Sequence, residues 1–174
     1  MKSLEDQLSK YAEYHRDRRN IATHFVGVPM IVAAVAVLLS RPQFTFLGLQ
    51  LSPAVLAIGA AALYYLRLDF RLGALMALLL GLCGWLGSWA AAQATATWLA
   101  IGVGGFVVGW IIQFIGHIWE GRKPAFVDDV VGLIIGPLFV TVEALFLMGA
   151  LPRLQATIEG RAGKTRSGPL RAVA

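Results

Sequence analysis

Long apolar runs, separated by short charged or polar joints, most limit how this chain of 174 residues can fold. Its residues are 57% hydrophobic and 14% charged, whereas soluble domains carry about 25% charged residues. A helix needs about 20 apolar residues to cross a bilayer. Apolar runs occupy about residues 21–40, 51–66, 72–92 and 97–119, the second being short. We therefore predict an all-α membrane protein with four transmembrane helices.

A fifth apolar segment, residues 130–150, contains Gly136-Pro137 and Glu143 and is less regular. Lys and Arg accumulate in cytoplasmic loops, so the Arg-rich N-terminal segment is expected in the cytoplasm. Four crossings also place the charged loops 67–71 and 120–129 there, whereas a fifth crossing would place the basic C-terminal segment outside. We favour a re-entrant hairpin broken at Gly136-Pro137 over a fifth span, because buried irregular backbone is tolerated at membrane depth.

The two terminal segments differ from the apolar runs. Residues 3–19 are predicted to form an amphipathic helix, because Ser3 and Asp6 fit a capping box and apolar residues recur at helical spacing. Residues 1–152 are predicted to be one integral membrane domain, followed by a basic, disordered tail over residues 153–174. The basic residues lie in loops and at the ends, which is typical of membrane topology and speaks against a nucleic-acid partner.

All three histidines lie where an apolar run meets charge, at the expected cytoplasmic edge. His15 and His24 are nine residues apart, so on one continuous helix they would face opposite ways. Asn20 is a good N-cap, and a new helix beginning at Ile21 would let the two imidazoles converge. His117 shares a polar helical stripe with Gln113 and Glu120. The neighbouring Arg16, Arg18 and Arg19 are interpreted as topology anchors.

A histidine cluster without thiolates suits iron, zinc or copper. Three imidazoles on one face of an octahedron leave three positions open, which suits Fe(II) with a chelating substrate and O2. Three histidines and a water suit a zinc-dependent lipid hydrolase equally. A third alternative is a non-enzymatic scaffold or transporter, although a transporter usually shows an internal repeat and none is visible. The spacing alone does not choose among these alternatives.

Three stretches of the chain resemble a known family. YHRDRRNIATHFVGVP carries the family's N-terminal pattern at Tyr14, His15, Asn20, His24 and Pro29. QFIGHIWEGRKPA is similar to its second signature through Gln113-Phe114, Gly116-His117, Glu120-Gly121-Arg122 and Pro124-Ala125. GPLFVTVEALF is similar to its third through Pro137, Phe139 and Glu143. Over roughly residues 4–150, the chain resembles the membrane 2-hydroxy fatty acid dioxygenases.

The resemblance implies Fe(II)-dependent α-oxidation, in which a 2-hydroxy fatty acid and O2 give the fatty acid shorter by one carbon and CO2. His15, His24 and His117 would be the metal ligands of this catalytic domain. Glu120 and Glu143 would lie outside the coordination sphere and orient the imidazoles. The i, i+3 spacing of His117 and Glu120 leaves direct metal binding by the carboxylate as an alternative.

The resemblance also suggests how the substrate is held. The 2-hydroxy acid would chelate iron through its carboxylate and hydroxyl, and its acyl chain would lie among the apolar helices. Arg122 or Lys123 would neutralise the carboxylate, and Asn20 is a further candidate for substrate binding. The Ala- and Arg-rich composition favours a bacterial inner membrane, with the endoplasmic reticulum as the eukaryotic alternative.

Overall fold

The computed structural model describes residues 3–167. The described residues form seven longer helices, one short 3-10 helix (Ala125–Val127) and one small hairpin. The helices are α1 (Leu4–Ala12), α2 (Arg18–Ser40), α3 (Pro53–Leu68), α4 (Phe70–Ala91), α5 (Thr95–Glu120), α6 (Gly132–Leu147) and α7 (Pro152–Ala162). The antiparallel hairpin pairs β1 (Phe44–Phe46) with β2 (Leu49–Leu51). The hairpin was not expected from the sequence.

Three helices, α2, α4 and α5, are long and apolar enough to cross a membrane. The count rises to four if α6 and α7, which meet at an angle of 117°, form one broken span. The predicted second crossing corresponds to α3, which is apolar but has only 16 residues. The prediction of an all-α membrane protein therefore holds in coarser form, with three to four candidate spans.

The chain divides into two compact units, Met1–Val28 with Ile111–Ala174, and Pro29–Trp110. The second unit is built on close helix packing between α3 and α4. A Cβ on Gly73 would lie 2.5 Å from backbone atoms of Leu66, so only glycine permits this approach. Many of its large apolar side chains face outward, as Leu78 and Trp85 do, which is expected where lipid is the solvent. The first unit contains all three histidines.

The joint between α1 and α2 differs from the prediction. Helix α1 ends at Ala12 rather than at residue 19, and its Ser3–Asp6 capping box is present as predicted. Helix α2 begins at Arg18, before Ile21. Asp17 serves at its start, because its side chain accepts a hydrogen bond from the Arg19 amide at 2.9 Å. The prediction that Asn20 caps this helix is therefore wrong.

Helix α6 runs through Gly136-Pro137 without a break, so the predicted hairpin break at this site is wrong. A proline removes only one helical hydrogen bond, and Thr141 Oγ1 donates to the Pro137 carbonyl at 2.9 Å. The sharp bend lies later, before α7. There Gly149 (φ 77°) and Leu151 (φ 56°) adopt left-handed backbone conformations.

The segment predicted to be a disordered tail is ordered over much of its length. Residues Pro152–Ala162 form α7, and Ile158 is buried, with only 1% of its surface exposed. Helix α7 packs against α1, and this long-range contact stabilises a sequence that shows no clear periodicity. Residues 168–174 of the predicted tail lie outside the described residues.

Candidate metal centre

Three buried imidazoles meet in the first unit of the chain. His15, His24 and His117 each offer a nitrogen, and these three atoms all lie within 4.8 Å of one another. The ring centroids are 4.5 to 5.1 Å apart. At most 7% of the surface of any of the three residues is exposed. The structure thus brings together the three residues that the sequence singled out as metal ligands.

Each histidine comes from a different structural context. His15 lies in the turn after α1, where its amide donates to the Ala12 carbonyl at 3.0 Å. His24 lies in the second turn of α2, and His117 lies in the last turn of α5. The chain bends sharply after Ala12, and this bend lets His15 and His24 converge although they are nine residues apart. A bend between the two histidines was predicted from the sequence.

Backbone carbonyls fix two of the imidazole rings. His15 Nδ1 donates to the Tyr11 carbonyl and His24 Nδ1 donates to the Asn20 carbonyl, each at 2.8 Å. Both Nε2 atoms are then lone-pair acceptors in the neutral rings, and they face each other at 3.1 Å. Two facing lone pairs repel unless a cation lies between them, so the arrangement fits a metal ion.

The third imidazole also has a nitrogen free to bind. His117 Nδ1 is buried and has no hydrogen-bond partner within residues 3–167, and buried polar atoms rarely remain unpaired. Burial, together with the neighbouring His24, lowers the pKa of His15 well below its usual range. A neutral ring is the form that binds metal. The donor set therefore fits a divalent metal that accepts nitrogen ligands.

Tyr11 supports His15 on one side, and the sequence analysis did not single it out for this role. Its ring stacks on the imidazole with a centroid separation of 4.2 Å and an interplanar angle of 5°. Burial raises the pKa of the Tyr11 phenol above its usual range, so the residue stays neutral. Tyr11 thus holds His15 through its ring and through its carbonyl oxygen.

Glu120 contacts the joint rather than an imidazole nitrogen. Its Oε2 accepts hydrogen bonds from the Arg16 amide (3.0 Å), the Asp17 amide (2.8 Å) and Asn20 Nδ2 (3.1 Å). Its Oε1 accepts from the Arg166 guanidinium at 2.6 Å. The carbonyls of Tyr11 and Asn20, rather than this carboxylate, therefore orient the imidazoles of His15 and His24. Glu120 instead connects α5 to the joint between α1 and α2.

Glu143 and Arg16 form a buried ion pair beside the joint. Arg16 donates to Glu143 Oε1 at 3.2 Å and to the carbonyls of Ala12, His15 and Gly163. The interpretation of Arg16 as a topology anchor missed this burial. A local pattern could not have shown it, because two of the partners lie more than 120 residues away.

A cavity of about 530 Å³ lies on another face of α2. Ile21 and Phe25 of α2 line it, and the Arg16–Glu143 pair forms part of its wall. None of the three histidines is among its lining residues. The cavity is therefore adjacent to the joint but does not open onto the imidazole nitrogens.

The predicted substrate-binding residues make other contacts. Arg122 donates to the Glu13 carbonyl at 2.8 Å, and its guanidinium carbon lies 5.9 Å from the centroid of the Tyr14 ring. The exposed Lys123 pairs with Asp128 at 2.6 Å. Asn20 packs against Gly116 and binds Glu120.

Comparison with known proteins identifies the family. A family model described as 2-hydroxy-palmitic acid dioxygenase Mpo1-like matches residues 1–148. The 2-hydroxy-palmitic acid dioxygenase MPO1 of Saccharomyces cerevisiae is 34% identical over 162 residues, which cover 90% of this chain and 87% of the yeast protein. No solved structure matches the chain. The resemblance inferred from the sequence is thereby confirmed, and the chain belongs to the Mpo1-like family.

Proposed function

We propose that the chain is an Fe(II)-dependent dioxygenase that performs α-oxidation of 2-hydroxy fatty acids. Family membership supports the dioxygenase class and the 2-hydroxy fatty acid substrate. The observation that carries the metal assignment is the pair of facing Nε2 atoms of His15 and His24, with His117 within reach of the same position. The choice of Fe(II) follows from the dioxygenase class, since histidine ligands alone would also accept zinc.

The proposed reaction balances without a further co-substrate. A 2-hydroxy acid and one O2 give the acid shorter by one carbon, one CO2 and one water. The bond between C1 and C2 breaks, the substrate loses four electrons, and O2 accepts all four. Bound iron would supply a site where the hydroxy acid and O2 come together and exchange electrons.

The chain's own residues keep the ligand set ready. The carbonyls of Tyr11 and Asn20 hold the Nδ1 protons of His15 and His24, so both Nε2 lone pairs point inward. Burial excludes water from the imidazoles, and the Tyr11 ring prevents His15 from rotating. Asn20 therefore serves the site as a positioning residue through its carbonyl, rather than as a direct substrate contact.

Charge recognition of the substrate remains assigned to Arg122 and Lys123. Both follow His117 closely in the chain, at the end of α5. A substrate carboxylate would compete with the Glu13 carbonyl for Arg122 and with Asp128 for Lys123. Glu143 stays paired with Arg16.

The membrane arrangement belongs to the same proposal. His24 near the start of α2 and His117 near the end of α5 share one cluster, so both lie on one side of the membrane. An even number of crossings must therefore separate them. Since α2, α4 and α5 are three candidates, α3 is the proposed fourth. Its 16 residues span about 24 Å, somewhat less than the roughly 30 Å apolar layer, and local bilayer thinning can accommodate this difference.

Segment α6–α7 is proposed to be re-entrant. The loop before α6 is held to α1 by the Lys10–Asp129 ion pair, and α7 packs back against α1. Both ends of the segment thus lie beside the same helix, which supports entry and return on one side. The N-terminus is proposed to be cytoplasmic, in a bacterial inner membrane.

Metal analysis combined with a substrate assay tests the proposal. Protein purified without oxygen should contain one iron per chain and should consume O2 only when 2-hydroxypalmitate is present, releasing CO2. His24→Ala should lose both the iron and the turnover, whereas Val26→Ala, at an exposed position of the same helix, should retain them. Stoichiometric zinc with ester or amide hydrolysis would instead establish the zinc hydrolase. Protein without any stoichiometric metal would favour the non-enzymatic alternative.

A further inference from the structure

A residue of the C-terminal segment completes the hydrogen bonding of Glu120. The Arg166 guanidinium donates to Glu120 Oε1 at 2.6 Å and lies 4.0 Å from Asp17 Oδ2. We propose that Arg166 is a positioning residue of the candidate metal centre and that it acts through Glu120. This inference rests on the metal site of the proposed function. Arg166 lies beyond residue 148, where the match to the family model ends.

Glu120 is the point where the three ligand-bearing segments are joined. It belongs to α5, three residues after His117. Its Oε2 accepts from the Arg16 amide, directly after His15. The same oxygen accepts from Asn20 Nδ2, and the Asn20 carbonyl in turn holds His24. A shift of this carboxylate therefore moves all three imidazoles relative to one another.

The position of Glu120 depends on charge compensation. Glu120 and Asp17 are both fully buried, and buried carboxylates require charged or multiple polar partners. Arg19 compensates Asp17 from its more exposed side, at 2.9 Å. Arg166 is the cation that donates to Glu120 in the described part of the chain. Without it, Oε1 of the buried Glu120 would lose its hydrogen-bond donor, and the carboxylate would keep only the neutral donors that bind Oε2.

The backbone around Arg166 is held at the joint independently of its side chain. Its amide donates to the Arg16 carbonyl at 2.8 Å, and its carbonyl accepts from the Arg18 amide at 2.9 Å. Arg16 also binds the Gly163 carbonyl. The C-terminal segment thus lies alongside the joint as a short strand-like strap (residues 163–166). A change confined to the Arg166 side chain can therefore remove the charge while the strap remains in place.

Metal binding measured with Co(II) tests the inference without relying on activity. Co(II) chloride is titrated into the full-length, detergent-solubilised protein, and both the affinity and the visible ligand-field spectrum are recorded. Arg166→Gln should weaken Co(II) binding about 10- to 100-fold, the usual effect of losing an outer-shell partner, and should change the spectrum. Arg166→Lys keeps the charge and should restore part of the affinity. Arg161 is an exposed arginine of the same C-terminal segment that pairs with Asp6 of α1. Arg161→Gln should therefore change neither the Co(II) affinity nor the spectrum.

A double variant separates action through Glu120 from a general loss of stability. If Arg166 acts through Glu120, Glu120→Gln combined with Arg166→Gln should bind Co(II) as Glu120→Gln alone does. This comparison also decides the matter if Arg166→Gln alone does not fold, because the double variant leaves no unpaired buried charge.

Three outcomes would overturn the inference. Arg166→Gln with unchanged affinity and spectrum would do so while leaving the proposed function intact. A double variant with the summed loss of both single variants would show that Arg166 acts elsewhere. Failure of the unmodified protein to bind Co(II) or iron would instead refute the proposed metal site, and the inference with it.

Discussion

At the scale of single residues, Gly116 controls how closely two ligand-bearing helices approach. A Cβ at this position would lie 2.1 Å from Thr23 Oγ1 and 2.5 Å from Asn20 Oδ1, both far inside van der Waals contact. Gly116 precedes His117, and Asn20 holds His24. The smallest added side chain must therefore displace the Thr23 hydroxyl and the Asn20 carboxamide, and it would also crowd the Asn20 Cα at 3.3 Å, where α5 approaches α2.

Gly116→Ala is expected to abolish stoichiometric metal binding in a protein that remains helical. The imidazole nitrogens would separate because the added methyl group displaces α5. Metal content after anaerobic purification and the far-ultraviolet circular dichroism spectrum measure the two effects. Gly160→Ala is the matched control, because a Cβ there meets nothing within 4 Å. Full metal occupancy in Gly116→Ala would show that the helices can yield.

Tyr11 offers a second test at this scale, because its ring and its carbonyl have separate roles. Tyr11→Phe keeps the ring stacked on His15 and should leave metal binding and stability close to those of the parent. Tyr11→Ala deletes a buried aromatic ring, which typically costs about 3–5 kcal/mol, and should release His15. Thermal unfolding with and without Co(II) measures both variants. Equal effects of Phe and Ala would assign the role to the hydroxyl group instead.

The sequence predicted the three histidines but not the supporting roles of Tyr11 and Arg16 beside them. His15, His24 and His117 could be singled out because charge or imidazole beside an apolar run is uncommon and costly. In the sequence, Tyr11 is only one of the residues at helical spacing in the segment 3–19, and Arg16 is one of several neighbouring arginines. Their roles depend on ring stacking and on partners far along the chain, which spacing within one segment does not reveal.

At the scale of elements, local signals predicted helix presence better than helix ends. The Ser3–Asp6 capping box predicted the start of α1, since both of its hydrogen bonds are local. The start of α2 was misplaced because Asp17 and Asn20 are both good caps, and Asp17 is favoured by its long-range contacts. Helix α7 was missed because its order depends on packing against α1.

The bend between α6 and α7 gives a prediction that isolates backbone conformation. Gly149 has φ 77° and Gly160 has an ordinary helical φ, and a Cβ on either meets no atom within 4 Å. Gly149→Ala should cost about 1–2 kcal/mol, because left-handed backbone is unfavourable for other residues. Gly160→Ala should be stabilising by about 0.5–1 kcal/mol. Thermal unfolding midpoints that shift in the same direction for both variants would refute this account of the bend.

At the scale of the whole molecule, the histidine cluster restricts the number of membrane crossings. The apolar runs predicted α3 as a crossing although it is short, and the charge distribution favoured a re-entrant hairpin for segment 130–150. The cluster adds a condition on topology. His24 at the start of α2 and His117 at the end of α5 belong to one cluster, so the helices between them must return the chain to the same side of a membrane. The sequence could not supply this condition, since it cannot show that distant histidines meet.

Labelling of single cysteines tests the proposed crossing by α3. In a Cys83→Ala background, cysteines replacing Glu13 and Ala94 are probed in intact bacterial cells with a membrane-impermeant maleimide. Position 94 should be labelled from outside and position 13 only after the cells are opened. If α3 did not cross, both positions would lie on the same side and would label together. Cysteine at Val130, an exposed position before α6, should behave as position 13 does.

The order of the segments along the chain also bears on biosynthesis. The strap that carries Arg166 emerges from the ribosome only after every ligand-bearing helix has left it. The Glu120 carboxylate, to which we assign the alignment of those segments, therefore stays without this cation until residue 166 has been synthesised and has left the ribosome. On the proposed role of Arg166, a chain still in synthesis would accordingly hold a metal ion more weakly than the finished protein does, which favours loading after insertion of the polypeptide.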